Sequence, residues 1–106
     1  MDISLDGLKE IEIADSFWKR FRGWMGRVPE ADEALLITPC SSIHTFFMRV
    51  PMDAVFLDSN GKVLRVIVEM KPWRCSPWIK GAQSVLELSA GMAKNLGIEE
   101  GKQLKL

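Results

Sequence analysis

The sequence predicts an α+β domain that is mostly β. The expected form is a small antiparallel β-barrel or rolled sheet with two short helices, the first packed across one end. Three observations carry this. Short runs rich in Val, Ile, Leu and Phe recur from residue 34 onward, turn residues separate them, and only two stretches have helical spacing. The 106 residues leave room for one domain, residues 1–106, around one core.

Residues 9–14 (KEIEIA) alternate apolar and charged side chains, as a half-exposed strand does. Asp15 and Ser16 are helix N-cap residues, and Phe17, Phe21 and Trp24 or Met25 follow on one helical face. Lys19, Arg20 and Arg22 lie off that face, and Gly26 ends the helix. The runs at 34–37, 43–48, 52–58 and 62–71 read as strands. Between the last two, Asp58-Ser59-Asn60-Gly61 has the residues of a tight hairpin turn, because Asn-Gly accepts positive φ. Leu64, Val66, Val68 and Met70 fall on one face of the strand at 62–71, with Arg65, Glu69 and Lys71 marking the other. After a Pro/Trp loop comes a strand at 84–89, then a short helix at 90–97 stopped by Gly97, then a final turn and strand.

Composition excludes several classes. A hydrophobic share of 47% with 26% charged residues is that of a folded globular chain. Fourteen basic and fourteen acidic side chains cancel, so nothing in the net charge draws the chain to nucleic acid, and no nucleic-acid partner is expected. No apolar run approaches the roughly 20 residues of a membrane span, so no membrane partner is expected either. The N-terminal text MDISLDGLKE lacks the basic start and apolar stretch of a secretory signal, which makes the cytoplasm the expected compartment. There Cys40 and Cys75 are thiols. In an oxidising compartment a bridge between them would add roughly 3–4 kcal/mol on the chain-entropy model.

The lone histidine sits in PCSSIHTFFMR, four residues after Cys40. Four residues of strand span roughly 13 Å, which separates a thiol from its base unless Ser41-Ser42 bends sharply. Three Cys and His side chains in total fall short of a structural zinc set, so no metal and no cofactor is expected. Strand periodicity puts His44 with Phe46 and Met48 on one face, and Ile43, Thr45 and Phe47 on the other, as in a strand buried on both sides. A buried imidazole needs polar partners. Asp53 alternates with Val55 and Leu57, and Glu87 with Val85, so each carboxylate also stands among apolar neighbours. One reading pairs them internally with Arg49 or Arg74. The other is a polar pocket mouth built from His44, Arg49, Asp53 and Glu87. In the loop at 70–81, Pro72-Trp73 and Pro77-Trp78 repeat a Pro-Trp pair beside Arg74 and Lys80. The indoles either fold back as a lid or offer a binding face.

These motifs together resemble the uncharacterised family known as domain of unknown function 192. The matching text is RFRGWMGR, CSSIHTFFMRVPMDAVFLDSNGKVL, KPWR and AQSVLELSAGMAKNLGIEEGKQL, from about residue 10 to the C-terminus. The chain resembles the branch with Ile-His-Thr-Phe-Phe-Met, where other members carry Phe-Trp-Met followed by Lys-Asn-Thr. It is shorter than those members between Met48 and Pro51. The resemblance implies a compact β-rich α+β domain and no particular reaction. Many members carry an N-terminal signal or anchor that this text lacks. Arg20, Gly23, His44, Met48, Asp53, Glu87 and Gly91 are the motif positions, as a shared site or a shared core.

The sequence therefore predicts a non-enzymatic binding module for a small ligand or a partner segment. The candidate ligand-binding residues are His44, Arg49, Asp53, Trp73, Arg74 and Glu87. The alternatives are a small hydrolase using His44 with Asp53 or Glu87 as acid and base, or a purely structural or interaction domain.

Overall fold

A computed structural model describes residues 2–16, 19–20 and 24–105. Among these, seven strands and one helix follow in order: β1 (Asp2–Ser4), β2 (Glu10–Ala14), β3 (Glu33–Ile37), β4 (Met52–Leu57), β5 (Val63–Met70), β6 (Ser84–Ser89), α1 (Met92–Asn95) and β7 (Gln103–Lys105). The helix expected after Asp15 falls largely on residues 17–18 and 21–23, outside the described residues. Its described part carries one helical bond, from the Arg20 N–H to the Ser16 carbonyl (2.9 Å). The Ser16 hydroxyl accepts from the Lys19 N–H at 3.2 Å, as an N-cap does.

The predicted hairpin forms where the turn residues stand. Gly61 takes φ 83°. The Asp58 carboxylate accepts from the N–H groups of Asn60 (2.8 Å) and Lys62 (2.9 Å). Those bonds, Lys62 first, hold the Asp58 carboxyl below its ordinary value. From this hairpin grows a five-stranded sheet of order β2-β3-β6-β4-β5. β3 and β4 each pair antiparallel with β6, and β4 with β5, while β2 runs parallel to β3.

The expected barrel does not form. β2 and β5 are the two edges of an open sheet, and β1 pairs parallel with β7 in a separate two-stranded sheet. Closure would need β2 beside β5, whereas β2 spends its pairing on β3 and leaves its other edge open.

Alternation along β4 sends Met52, Ala54 and Phe56 to one face of the sheet and Val55 and Leu57 to the other. Every residue of β4 is buried, as befits a strand covered on both sides. The first face collects Trp24, Leu35, Ile37, Ile43, Met48 and Val85. The second collects Leu86, Leu88, Ala93, Ile98 and Leu104.

The segment 43–48 is not a strand. It carries one isolated bridge, His44 to Cys75, and turns at Phe47, whose φ is 63°. The loop from β3 to β4 instead runs antiparallel to the loop from β5 to β6, and the two form an irregular ribbon. The Cys40 N–H donates to the Gln83 carbonyl (2.9 Å), Ile79 to Ser41 (2.9 Å) and Ser76 to Ile43 (2.8 Å). Thr45 is the centre of this ribbon. Its N–H donates to the Arg74 carbonyl (2.8 Å) and its carbonyl accepts from the Trp73 N–H (2.9 Å). Its fully buried hydroxyl donates to the Lys71 carbonyl (2.6 Å) and accepts from the Arg74 N–H (2.8 Å). The ribbon lies over the first face of the sheet, with Ile43 and Met48 turned into that core.

Candidate functional site

Between ribbon and sheet lies a small cleft of about 50 Å³ that opens to solvent at its mouth. Arg20, Trp24, Cys40, Ser42, His44 and Glu87 line it, with Met25, Ile37, Ile43 and Met48 as its apolar wall. Glu87 comes from the middle of β6, where its strand neighbours are Leu35 and Ala54. It is 3% exposed. Among the described residues no hydrogen bond or ion pair reaches its carboxyl; the ion pairs are those of Arg27 with Glu12 (3.4 Å) and Glu33 (3.2 Å). Burial, which strips the carboxylate of its water, pushes the Glu87 pKa up to about 8. At neutral pH the group holds its proton and can donate it in a hydrogen bond.

His44 is half-buried at the ribbon's bridge to Cys75. Its Nδ1 accepts from the Phe46 N–H at 3.1 Å, which puts the proton of the neutral ring on Nε2. The Cys40 Sγ–H donates to the Ser42 carbonyl at 2.9 Å. Burial pushes the Cys40 thiol up; Glu87 adds to the push, while the Ser42 contact and Arg20 oppose it. The thiol is thus held in its un-nucleophilic form. Both cysteines are free thiols. Arg20 donates from Nη1 to the Asp15 carbonyl at 3.0 Å.

The structure brings together only part of the predicted set. His44 and Glu87 share the cleft. Asp53 does not, because register sends it elsewhere: Ala54 stands opposite Glu87, and Asp53 opposite Leu88 on the second face. The fully buried Asp53 carboxylate accepts three backbone N–H groups, from Glu69 (2.9 Å), Gly91 (3.0 Å) and Ala93 (3.0 Å). It caps α1, which has no cap of its own, and holds Glu69 in the bulge of β5, at φ 50°.

Arg49 and Arg74 are exposed, and neither pairs with Glu87 or Asp53 among the described residues, so the internal ion pair is corrected. Trp73 and Trp78 are 56% and 66% exposed, so they form no lid. Trp73 takes φ 63° and meets the rings of Phe46 at 5.9 Å and Phe47 at 4.7 Å. Phe46 in turn meets His44 at 5.1 Å, which sets this aromatic cluster at the rim of the cleft.

Cys40 and Arg20 line the cleft, and neither belongs to the predicted ligand-binding set. The strand spacing that separates Cys40 from His44 does not apply to a segment that bends. The signal available in the text was the Pro-Cys-Ser-Ser lead-in, which favours such a bend. Among the described residues, no group of three or more His, Cys, Asp or Glu is placed to hold a metal ion. No helix among them is long and apolar enough to cross a membrane.

The chain matches the family DUF192, described as Uncharacterized ACR, over residues 3–106. A UPF0127 protein of Pyrococcus furiosus is 35% identical over 101 residues, which cover 91% of this chain and 85% of that protein. A UPF0127 protein of Thermococcus sibiricus is 37% identical over 100 residues, covering 89% of this chain and 64% of the relative. Among solved structures, a protein of unknown function from Novosphingobium aromaticivorans shares the fold. It has a TM-score of 0.78 at 22% identity, over 86% of this chain and 70% of that one.

Proposed function

Because the chain belongs to the uncharacterised family DUF192, whose kinship assigns no reaction, we propose from the site itself that it is a non-enzymatic binding module. Its cleft takes a small ligand, or the end of a partner segment, that presents a hydrogen-bond acceptor and preferably a carboxylate. One observation carries this reading: the Glu87 carboxyl lies in the cleft without a protein partner among the described residues. A protonated carboxyl offers one strong donor, and a ligand carboxylate is a strong acceptor for it. Arg20 on the wall supplies the counter-charge, and Trp24, Ile43 and Met48 take an apolar remainder. The un-nucleophilic Cys40 thiol and the remote Asp53 support binding over covalent chemistry.

The test is an amide NMR titration with butyrate and with N-acetylated dipeptides. The reading predicts saturable shifts confined to cleft residues, and weaker binding as pH rises through the Glu87 midpoint. Shifts that are absent or scattered would leave a purely structural domain. A hydrolase using His44 and Glu87 remains the second reading, favoured by one fact: both line the same cleft, and a carboxyl titrating near 8 suits a general acid at neutral pH. Turnover of chromogenic esters that disappears in both His44→Ala and Glu87→Gln would select it; the binding module turns over none.

A further inference from the structure

The charge balance of the whole chain conceals a segregation that the fold creates. The two ribbon loops, residues 38–51 and 71–83, contain Arg49, Lys71, Arg74 and Lys80 and neither Asp nor Glu. They carry four positive charges, and because the chain sums to zero the remainder carries four negative ones. All four cations are exposed. Among them stand Phe46, Phe47 and Trp73, at 38%, 56% and 56% exposure, with Trp78 at 66% further along the same loop. Among the described residues, Phe47 and Trp73 are two of the three non-glycine residues at positive φ, which bulky side chains rarely adopt. Thr45 meets both: its carbonyl accepts from the Trp73 N–H and from the Met48 N–H that closes the turn at Phe47. The ribbon thus spends backbone strain to present aromatic rings outward rather than to bury them.

We propose that this outer face of the ribbon docks on an anionic lipid bilayer surface. Charge complementarity names the occupant. Exposed cations without intervening carboxylates are drawn to an anionic leaflet, and Phe and Trp side chains partition into the headgroup boundary. Single-stranded nucleic acid shares the charge but needs open ring faces for its bases. Here the rings are spent on one another, with Phe47 edge-on to Trp73 and Phe46 tilted over it. No spanning helix is needed for such docking, so the absence of one among the described residues stands beside it without conflict. His44 touches Phe46, so docking would lay the membrane at the mouth of the cleft.

The test is flotation of the full chain with phosphatidylcholine vesicles, with or without one third phosphatidylglycerol, at low and high salt. Binding is expected to the anionic vesicles alone, to weaken with salt, and to shift tryptophan emission to the blue. Arg74→Gln with Lys80→Gln lowers partitioning roughly thirtyfold, at about fivefold per lost cation near the surface. Trp73→Asn and Phe47→Asn, chosen because Asn tolerates positive φ, each weaken partitioning, and Trp73→Asn reduces the blue shift to what Trp78 contributes. Trp78→Ser, outside the strained positions, keeps the test independent of their folding. No binding to anionic vesicles, or equal binding to both compositions, overturns the proposal. Binding to an oligothymidine strand in place of vesicles overturns it in favour of nucleic acid.

Discussion

Replacing Thr45 with valine keeps the side chain's shape and removes one hydroxyl that is fully buried between the two loops of the ribbon. That hydroxyl donates to the Lys71 carbonyl at 2.6 Å and accepts from the Arg74 N–H at 2.8 Å. The variant therefore leaves one part-buried donor and one part-buried acceptor without this partner. Each costs about 1–3 kcal/mol of desolvation, and the added methyl returns under about 1 kcal/mol, so the net loss is about 3 kcal/mol. For a domain of this size that lowers the melting temperature by roughly 15 °C. The assay is urea unfolding with the slope held constant, combined with amide exchange at Arg74, whose protection should fall in step. A loss under about 1 kcal/mol, or an Arg74 amide as protected as before, would refute the reasoning that Thr45 holds the ribbon together.

Glu87→Gln should alter the pH dependence of stability. The unfolded carboxyl releases its proton near 4.5 and the folded one near 8, so wild-type stability from this group is complete below the lower value and is lost between the two. The variant should gain on the wild type by roughly 1 kcal/mol per pH unit across that window in urea melts. Cys75 is exposed, whereas Cys40 is half-buried with its thiol pushed up, so iodoacetamide should label Cys75 first, as read by peptide mass. Trp24→Ala, at 1% exposure, should cost about 3–5 kcal/mol, whereas Trp78→Ala, at 66%, should stay within about 0.5 kcal/mol.

The strands β4, β5 and β6 are legible as strands, and the Asn60-Gly61 turn joins two of them. The single apolar face expected of β5 breaks at its bulge, however, where Val68 is 61% exposed and Met70 packs with Ile67 rather than with Val66. The segment Ile43–Met48 is not legible, because its apolar density reads as strand, while it bends at Phe47 and pairs through Thr45 with a loop far along the chain. Closure into a barrel was misjudged for a related reason. The parallel pairing of β2 with β3, and of β1 with β7, is a long-range choice that leaves no local mark. Asp53 and Glu87 show the limit most clearly. Both alternate with apolar residues on their own strands, and only the register between β4 and β6 reveals that they face opposite sides. One then caps a helix, and the other lines a cleft.

The most direct measurement is the titration of the Glu87 carboxyl carbon by NMR in the labelled protein, alone and with saturating butyrate. The account predicts a midpoint near 8 in the unliganded chain. It also predicts a rise when butyrate binds, because the bound carboxylate accepts from the protonated form and stabilises it. A midpoint near the ordinary 4.5, unmoved by butyrate, would contradict the claim that this cleft is built around a carboxyl that keeps its proton for a ligand.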